Sequence, residues 1–362
     1  MLALLEGVRI IDFTNYLPGP YATMRLADMG AEVIKIESVK GDPARELGVK
    51  VNGTGTLFLA YNRKKKSVVL NLKEKEGRET AERLIASADA VIESFRPGVM
   101  KRLGLDYASV VKYKEDLVYC SITGFGESGS LSRLGSHDLN YMGMSGILAQ
   151  IKDSAGKPVH PTFQFADYIG GLAANEAVLA GLISKWRTGI GSYQCISIPE
   201  VMVSMMGSHM LIKGETGAPD GLSELNGRCV CYAIYETKDQ RYITLGALEK
   251  GFWRNFCEAV DRKEWIDQQF SITEKNNKIY KQINELFKSR TFNQWIEFSQ
   301  KVDCCMAPVL EPDELADYPF YKKRGLINKK CNGEIQVKIA GSGASEIREV
   351  PFLGEHTKEI LK

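Results

Sequence analysis

Four histidines occur in 362 residues, and one of them, His137, opens the segment His137-Asp138-Leu139-Asn140-Tyr141 directly after Gly135-Ser136. That pattern sets an imidazole at the mouth of a helix. Asp167 lies in Phe165-Ala166-Asp167-Tyr168-Ile169-Gly170-Gly171, a carboxylate between apolar neighbours with small residues behind it. Such an acid either caps the helix that follows or serves as a base whose pKa is raised by burial. A histidine and an aspartate, both at loop-to-helix junctions, form a candidate acid/base pair. The other histidines offer less: His160 sits between Val159 and Pro161 and His209 within a helical run, so both read as structural, and His356 is near the C-terminus.

Cations cluster at two places. Tyr61-Asn62-Arg63-Lys64-Lys65-Lys66 lies immediately before a strand. It is either a solvated charge cluster or a clamp for a pyrophosphate or 3′-phosphate, since ammonium and guanidinium groups make charge-assisted bonds to phosphate oxygens. Arg96 and Arg102 follow the strand Ala90–Ile92, and in open α/β sheets ligands bind outside the carboxyl ends of the strands. The turn Gly124-Phe125-Gly126-Glu127-Ser128-Gly129 matches G-x-G-x-x-G after a strand. It runs into Ser130–Gly135, which has no helical apolar period, so it reads as a structural or acyl-contacting loop rather than a dinucleotide site.

The elements that must carry these groups follow from the periodicity. Val8–Phe13 is a short apolar run, Pro18-Gly19-Pro20 punctuates, and Tyr21–Met29 carries apolar residues at helical spacing until Gly30. Strands then read at Glu32–Glu37, Ser67–Leu72, Ala90–Ile92 and Leu117–Thr123, with a helix over Glu74–Ala86. Strands alternating with helices predict a largely parallel sheet covered on both faces. Asn140 to about Ile212 reads as mostly helical, with one apolar strand at Tyr193–Ile198. Near residue 225 the character changes. Cys229–Glu236 and Arg241–Leu248 are joined by Thr237–Gln240, which reads as a hairpin, and amphipathic helices follow around Phe252–Ala259, Asn276–Lys288 and Phe292–Lys301. The prediction is an α/β chain: a large Rossmann-like domain over 1–224, a smaller α+β domain over 225–325, and a stretch over 326–362 that returns to the large domain.

Composition narrows the function class. Forty-seven basic and 45 acidic side chains leave a formal charge of +2, which argues against a dedicated nucleic-acid binder. No apolar run reaches the roughly eighteen residues a membrane span needs. The start, MLALLEGVRI, lacks a basic n-region, so no signal peptide and a cytoplasmic location are expected. Eight cysteines (120, 195, 229, 231, 257, 304, 305, 331) form no Cys-x-x-Cys pair and lack histidines at zinc spacing. The expectation is reduced thiols, no disulfide and no structural metal.

Several ordered segments carry a resemblance: Leu17-Pro-Gly-Pro-Tyr-Ala22, Leu26-Ala-Asp-Met-Gly-Ala-Glu-Val-Ile-Lys-Ile-Glu37, Asn62-Arg-Lys-Lys-Lys-Ser-Val68, Phe95-Arg-Pro-Gly-Val99, Arg102-Leu-Gly104, Thr123-Gly-Phe-Gly126 and Gly181-Leu-Ile183. Through them the chain resembles the family III CoA-transferases, the CaiB/BaiF family. The resemblance implies a large Rossmann-like domain with a small one, an interlocked homodimer, and an acyl-CoA thioester as substrate rather than as a bound cofactor. It places the CoA along the ends of the large-domain strands, at Leu70, Asn71, Leu72 and Lys73, at the Ser94-Phe95-Arg96 turn and at Arg102. Asp138 and Tyr141 join the substrate-binding set. Ser38 departs from the arginine that relatives often carry beside the adenine, leaving Lys40 or Arg45 to take its place.

Within that family the histidine separates two chemistries. In the transferases the aspartate matching Asp167 is the nucleophile, forming an aspartyl anhydride and then an aspartyl-CoA thioester. In the α-methylacyl-CoA racemases the same aspartate is one of two acid/base groups, and the histidine of a Gly-x-His-Asp segment is the other. Gly-Ser-His137-Asp138 resembles the racemase version. Gly246-Ala-Leu-Glu249, followed by Phe252-Trp253, is similar to the segment whose glutamate bonds that histidine. The resemblance thus implies His137, Asp167 and Glu249 as catalytic residues of a racemase acting at the α-carbon of a 2-methyl-branched acyl-CoA. The alternative is a CoA-transferase with Asp167 as covalent nucleophile. An enolate oxygen would also need donors, most simply backbone N–H groups at the helix start around Asp167.

Overall fold

Six short segments build one sheet: β1 (Arg9–Phe13), β2 (Glu32–Glu37), β3 (Lys66–Val69), β4 (Ala90–Glu93), β5 (Val118–Thr123) and β6 (Ser192–Ser197). Their order is β3-β2-β1-β4-β5-β6, and every neighbouring pair is parallel. This computed structural model describes residues 3–153, 155–329, 335–339 and 349–362.

The near-continuous burial of β1, β2, β4 and β5 reflects covers on both faces. Ile10, Val33, Ile92 and Cys120 pack on one side with Ala22, Leu26, Ala174 and Val178. Ile11, Ile34, Val91 and Tyr119 pack on the other with Ala81, Leu84 and Ile85. Neighbouring residues of one strand thus serve opposite cores, as the period of two requires.

Helix α1 (Pro18–Asp28) starts ahead of the expected Tyr21, because proline at a helix start loses no hydrogen bond. Helix α2 is Asp138–Met144 and α3 is Phe165–Thr188. Helices α1 and α3 lie close together. A Cβ on Gly171 would sit 2.6 Å from the Pro18 carbonyl oxygen, and Asn175 Nδ2 donates to the Ala22 carbonyl at 3.1 Å. Between α2 and α3, where helix was expected, the described residues form turns, bends and the short 3-10 turn Leu148–Gln150.

Strand β3 ends at Val69, short of the expected Leu72. Asn71 turns the chain there: its Oδ1 accepts the Lys73 N–H at 3.2 Å and its backbone carbonyl accepts the Glu74 N–H at 3.0 Å, leading into the helix Lys75–Ala86.

The chain divides into Met1–Met206 with Lys322–Lys362, and Gly207–Tyr321. Helix Gly207–Thr216 counts with the second unit, which puts this division ahead of the compositional change near residue 225. The second unit holds an antiparallel sheet of Tyr232–Glu236, Tyr242–Gly246 and Met306–Pro308, with Tyr242–Gly246 central. Trp253, Trp265, Trp295, Phe256 and Phe287 fill its core. Cys120, Cys229, Cys231, Cys257 and Cys304 are buried thiols, Cys195 and Cys305 exposed ones, and Cys331 lies outside the described residues. Among the described residues no helix is long and apolar enough to cross a membrane.

Candidate active site

Strand order reverses between β1 and β4, and the crevice beyond the carboxyl ends at such a switch point is where open α/β sheets take ligands. A cavity of about 1140 Å³ lies there, lined by residues that follow β1 (Asn15, Tyr16), β4 (Ser94, Phe95, Arg96), β5 (Gly124) and β6 (Ile198). Ordinary small-molecule sites span roughly 300–1,000 Å³, so this one suits an extended ligand.

His137, Asp138, Tyr141 and Asp167 line the same cavity. The exposed His137 precedes α2, and its backbone N–H is held by Asn140 Oδ1 at 3.0 Å. Asp138 reaches across to α3, where its Oδ1 accepts the N–H groups of Ala166 at 2.7 Å and Asp167 at 3.1 Å. A carboxylate from outside the helix therefore caps it, because Gln164 at its own N-cap makes no side-chain capping bond. Asp167 is left to face the cavity. Burial and then the neighbouring Asp138 charge push its carboxyl up to about 7.

The same bonds correct an expectation. The Ala166 and Asp167 N–H groups are already held by Asp138, and the Tyr168 N–H by the Gln164 carbonyl, so the start of α3 does not offer them to a developing oxyanion.

The glycine-rich turn has a packing reason. A Cβ on Gly124 would meet Ser136 Oγ at 2.5 Å and the Tyr141 hydroxyl at 2.9 Å. Gly126 and Gly129 take φ values of +75° and +93°, which side-chain-bearing residues rarely adopt. No helix starts directly after them, since Ser130–His137 is irregular and α2 begins only at Asp138, so no dinucleotide cradle forms.

The basic run does not reach the cavity as a clamp. Arg63 and Lys64 pair with Asp28, Lys66 with Glu32 and Glu359, and Lys65 lies fully buried against Asp12 at 3.1 Å. Burial draws the Lys65 ammonium down to about 8. Arg45 is likewise committed, to Glu37 and the Pro351 carbonyl, and so is not open to an adenine.

Of the other expected residues, Ser94, Phe95 and Arg96 line the cavity, whereas Leu70, Asn71, Leu72, Lys73 and Arg102 are not part of its wall. Leu70 is buried in the core beside β3, and Arg102 is exposed. Glu249 is an exposed residue of the second unit, preceding the helix Lys250–Ala259. Tyr61, which begins the basic run, lines the cavity although the run's four cations do not, and sequence reasoning missed His160 and Gln164, which also line it. His160 reads as structural beside Pro161. It is exposed instead, because the segment ahead of α3 is irregular.

The family model for CoA-transferase family III matches residues 5–357. The succinyl-CoA:glutarate CoA-transferase of Homo sapiens is 31% identical, over 99% of this chain and 85% of that protein. The alpha-methylacyl-CoA racemase of Homo sapiens is 30% identical, over 99% of this chain and 92% of its own. Among solved structures, a CaiB/BaiF family protein from Brucella suis superimposes with a TM-score of 0.84 at 26% identity, covering 98% of each chain. The parallel sheet, the cavity at its switch point and a match running through nearly the whole length agree: this chain belongs to CoA-transferase family III.

Proposed function

We propose that the protein is an acyl-CoA racemase or epimerase, acting at the α-carbon of a 2-methyl-branched acyl-CoA thioester by proton transfer between two bases. The observation that supports it most is His137 and Asp167 on one cavity, with the Asp167 carboxyl held near neutral pH. Racemisation removes a proton from one face of the carbon and returns one to the other, so one group must be protonated while its partner is not. A carboxyl titrating at about 7 serves both directions. No metal or redox cofactor enters this chemistry, in which the CoA thioester is the substrate.

In this reading the thioester's CoA end lies along Ser94–Arg96, with Asp138 and Tyr141 beside the reacting carbon and Asn71–Lys73 and Arg102 further along the strand ends, beyond the cavity wall. Replacing Arg102 by alanine then raises KM for CoA esters more than it lowers kcat, because only uniform binding is lost. A cytoplasmic, interlocked homodimer completes the proposal. Leu172, Ile183 and Trp186 form an exposed apolar stripe on α3 that suits burial against a second copy.

The test is a single epimer of a 2-methylacyl-CoA in deuterium oxide with no free acid present. The α-proton should wash out and the other epimer accumulate. The second reading is a CoA-transferase with Asp167 as covalent nucleophile, supported by the similarity to the succinyl-CoA:glutarate CoA-transferase. It has no α-exchange, moves CoA to an added carboxylic acid, and is trapped by hydroxylamine. That outcome sinks the racemase reading.

A further inference from the structure

Glu93 ends β4 at the carboxyl edge of the sheet and is only 5% exposed. A lone buried carboxyl is rare unless its oxygens are occupied. Here both are. Oε2 accepts the backbone N–H of Phe95 at 2.7 Å, two residues along its own chain. Oε1 accepts the hydroxyl of Ser121, which is Glu93's register partner on β5. Burial raises this carboxyl to about 7, so the neutral acid and the carboxylate both occur near neutral pH.

Of the two residues it holds, Phe95 lines the ligand cavity, together with its neighbours Ser94 and Arg96. From the other side, the Ser94 hydroxyl accepts the N–H of Asn15 at 3.2 Å, tying the turn to the loop after β1. Arg96 and Pro97 line both the large cavity and a second one of about 320 Å³, whose wall also includes Glu93, Lys101 and Tyr193. Arg96 therefore stands at the junction of two cavities, on a turn anchored by Glu93.

We propose that Glu93 is a positioning residue: its carboxyl fixes the Ser94–Pro97 turn and so aims Arg96 at the anionic, non-reacting part of the substrate. The inference rests on the CoA-thioester reading above. It differs from a purely structural role in one respect, that the effect of Glu93 on binding must act through Arg96.

The experiment titrates coenzyme A itself into the full chain by calorimetry, using wild type, Glu93→Ala, Glu93→Gln, Arg96→Ala and the double variant Glu93→Ala with Arg96→Ala. Glu93→Ala should weaken binding by about tenfold, the scale of a lost charge-assisted bond. Glu93→Gln should stay within about twofold of wild type, since an amide oxygen can accept the Phe95 N–H while its NH2 donates to Ser121. The double variant should bind no more weakly than Arg96→Ala alone, because coupled residues are not additive. In turnover with an acyl-CoA, Glu93→Ala should raise KM and leave kcat nearly intact.

If Glu93→Ala fails to fold, Ser121→Ala replaces it: a loss of about threefold is expected, and it should vanish in the Arg96→Ala background. Wild-type affinity in the Glu93→Ala or Ser121→Ala protein, or losses that multiply with that of Arg96→Ala, overturns the proposal. Wild type that does not bind CoA at all overturns the CoA reading itself, a result distinct from tight wild-type binding with insensitive variants.

Discussion

The carboxylate of Asp138 accepts the backbone N–H of Asp167 at 3.1 Å, so the residue that follows one candidate base caps the helix that begins with the other. This bond ties the start of α2 to the start of α3 and keeps a negative charge beside the Asp167 carboxyl. One side chain thus caps the helix and adds its charge to the burial that raises the Asp167 carboxyl.

Replacing Asp138 by asparagine retains an acceptor oxygen but removes the charge. The Asp167 carboxyl then becomes more acidic, and the acid limb of the rate–pH profile for α-proton exchange moves to lower pH. Asp138→Ala loses the cap as well and should cost about 1 kcal/mol of stability. Kinetics across pH 4–9 on the asparagine variant check this; an unmoved limb removes Asp138 from the electrostatics of Asp167.

Asp167 also leaves a mark on stability. Its folded pKa of about 7 lies above the ordinary 3.8, so between these values the folded state binds the extra proton and stability falls as pH rises. Asparagine cannot ionise and escapes that loss. Asp167→Asn should therefore melt higher than wild type at pH 8 and at nearly the same temperature at pH 4, while losing turnover. Equal melting differences at both pH values would contradict a desolvated carboxyl here.

The basic run should matter to folding and not to ligand binding. Lys66→Ala, which breaks half-exposed pairs with Glu32 and Glu359, should leave CoA affinity unchanged. Arg63→Ala leaves Asp28 with less of its buried pairing and should destabilise by about 3 kcal/mol. Urea unfolding and CoA titration separate the two, and weaker CoA binding by Lys66→Ala would restore the clamp.

Gly171→Ala should destabilise by about 1–3 kcal/mol, because its new methyl meets the Pro18 carbonyl at 2.6 Å and Tyr21 at 3.1 Å. The strain falls on the contact that seats the Asp167 helix against α1. Thermal melts should show the loss, and a neutral result would mean that α3 shifts freely along α1.

Local pattern determined much of this molecule. The segment EVIKIE is the strand Glu32–Glu37 as read, the helix and strand alternation produces the parallel sheet, and the His137 junction does open a helix. These depend on periodicity and on turn residues a few positions apart, which a sequence displays directly. The candidate pair His137 and Asp167 was legible for the same reason, since each stands at a junction visible in its own neighbours.

What tertiary structure alone decided concerns partners far apart in the chain. Lys65 meets Asp12, Arg63 meets Asp28 and Lys66 meets Glu32, because strand order and helix packing carry those acids to the run. The cap on α3 comes from Asp138, and the anchor of the Ser94–Pro97 turn involves Ser121 on the next strand. A charge in a sequence carries no sign of whether water or a buried opposite charge will surround it. Only the folded sheet settles that, by fixing which side chains share a low-dielectric space.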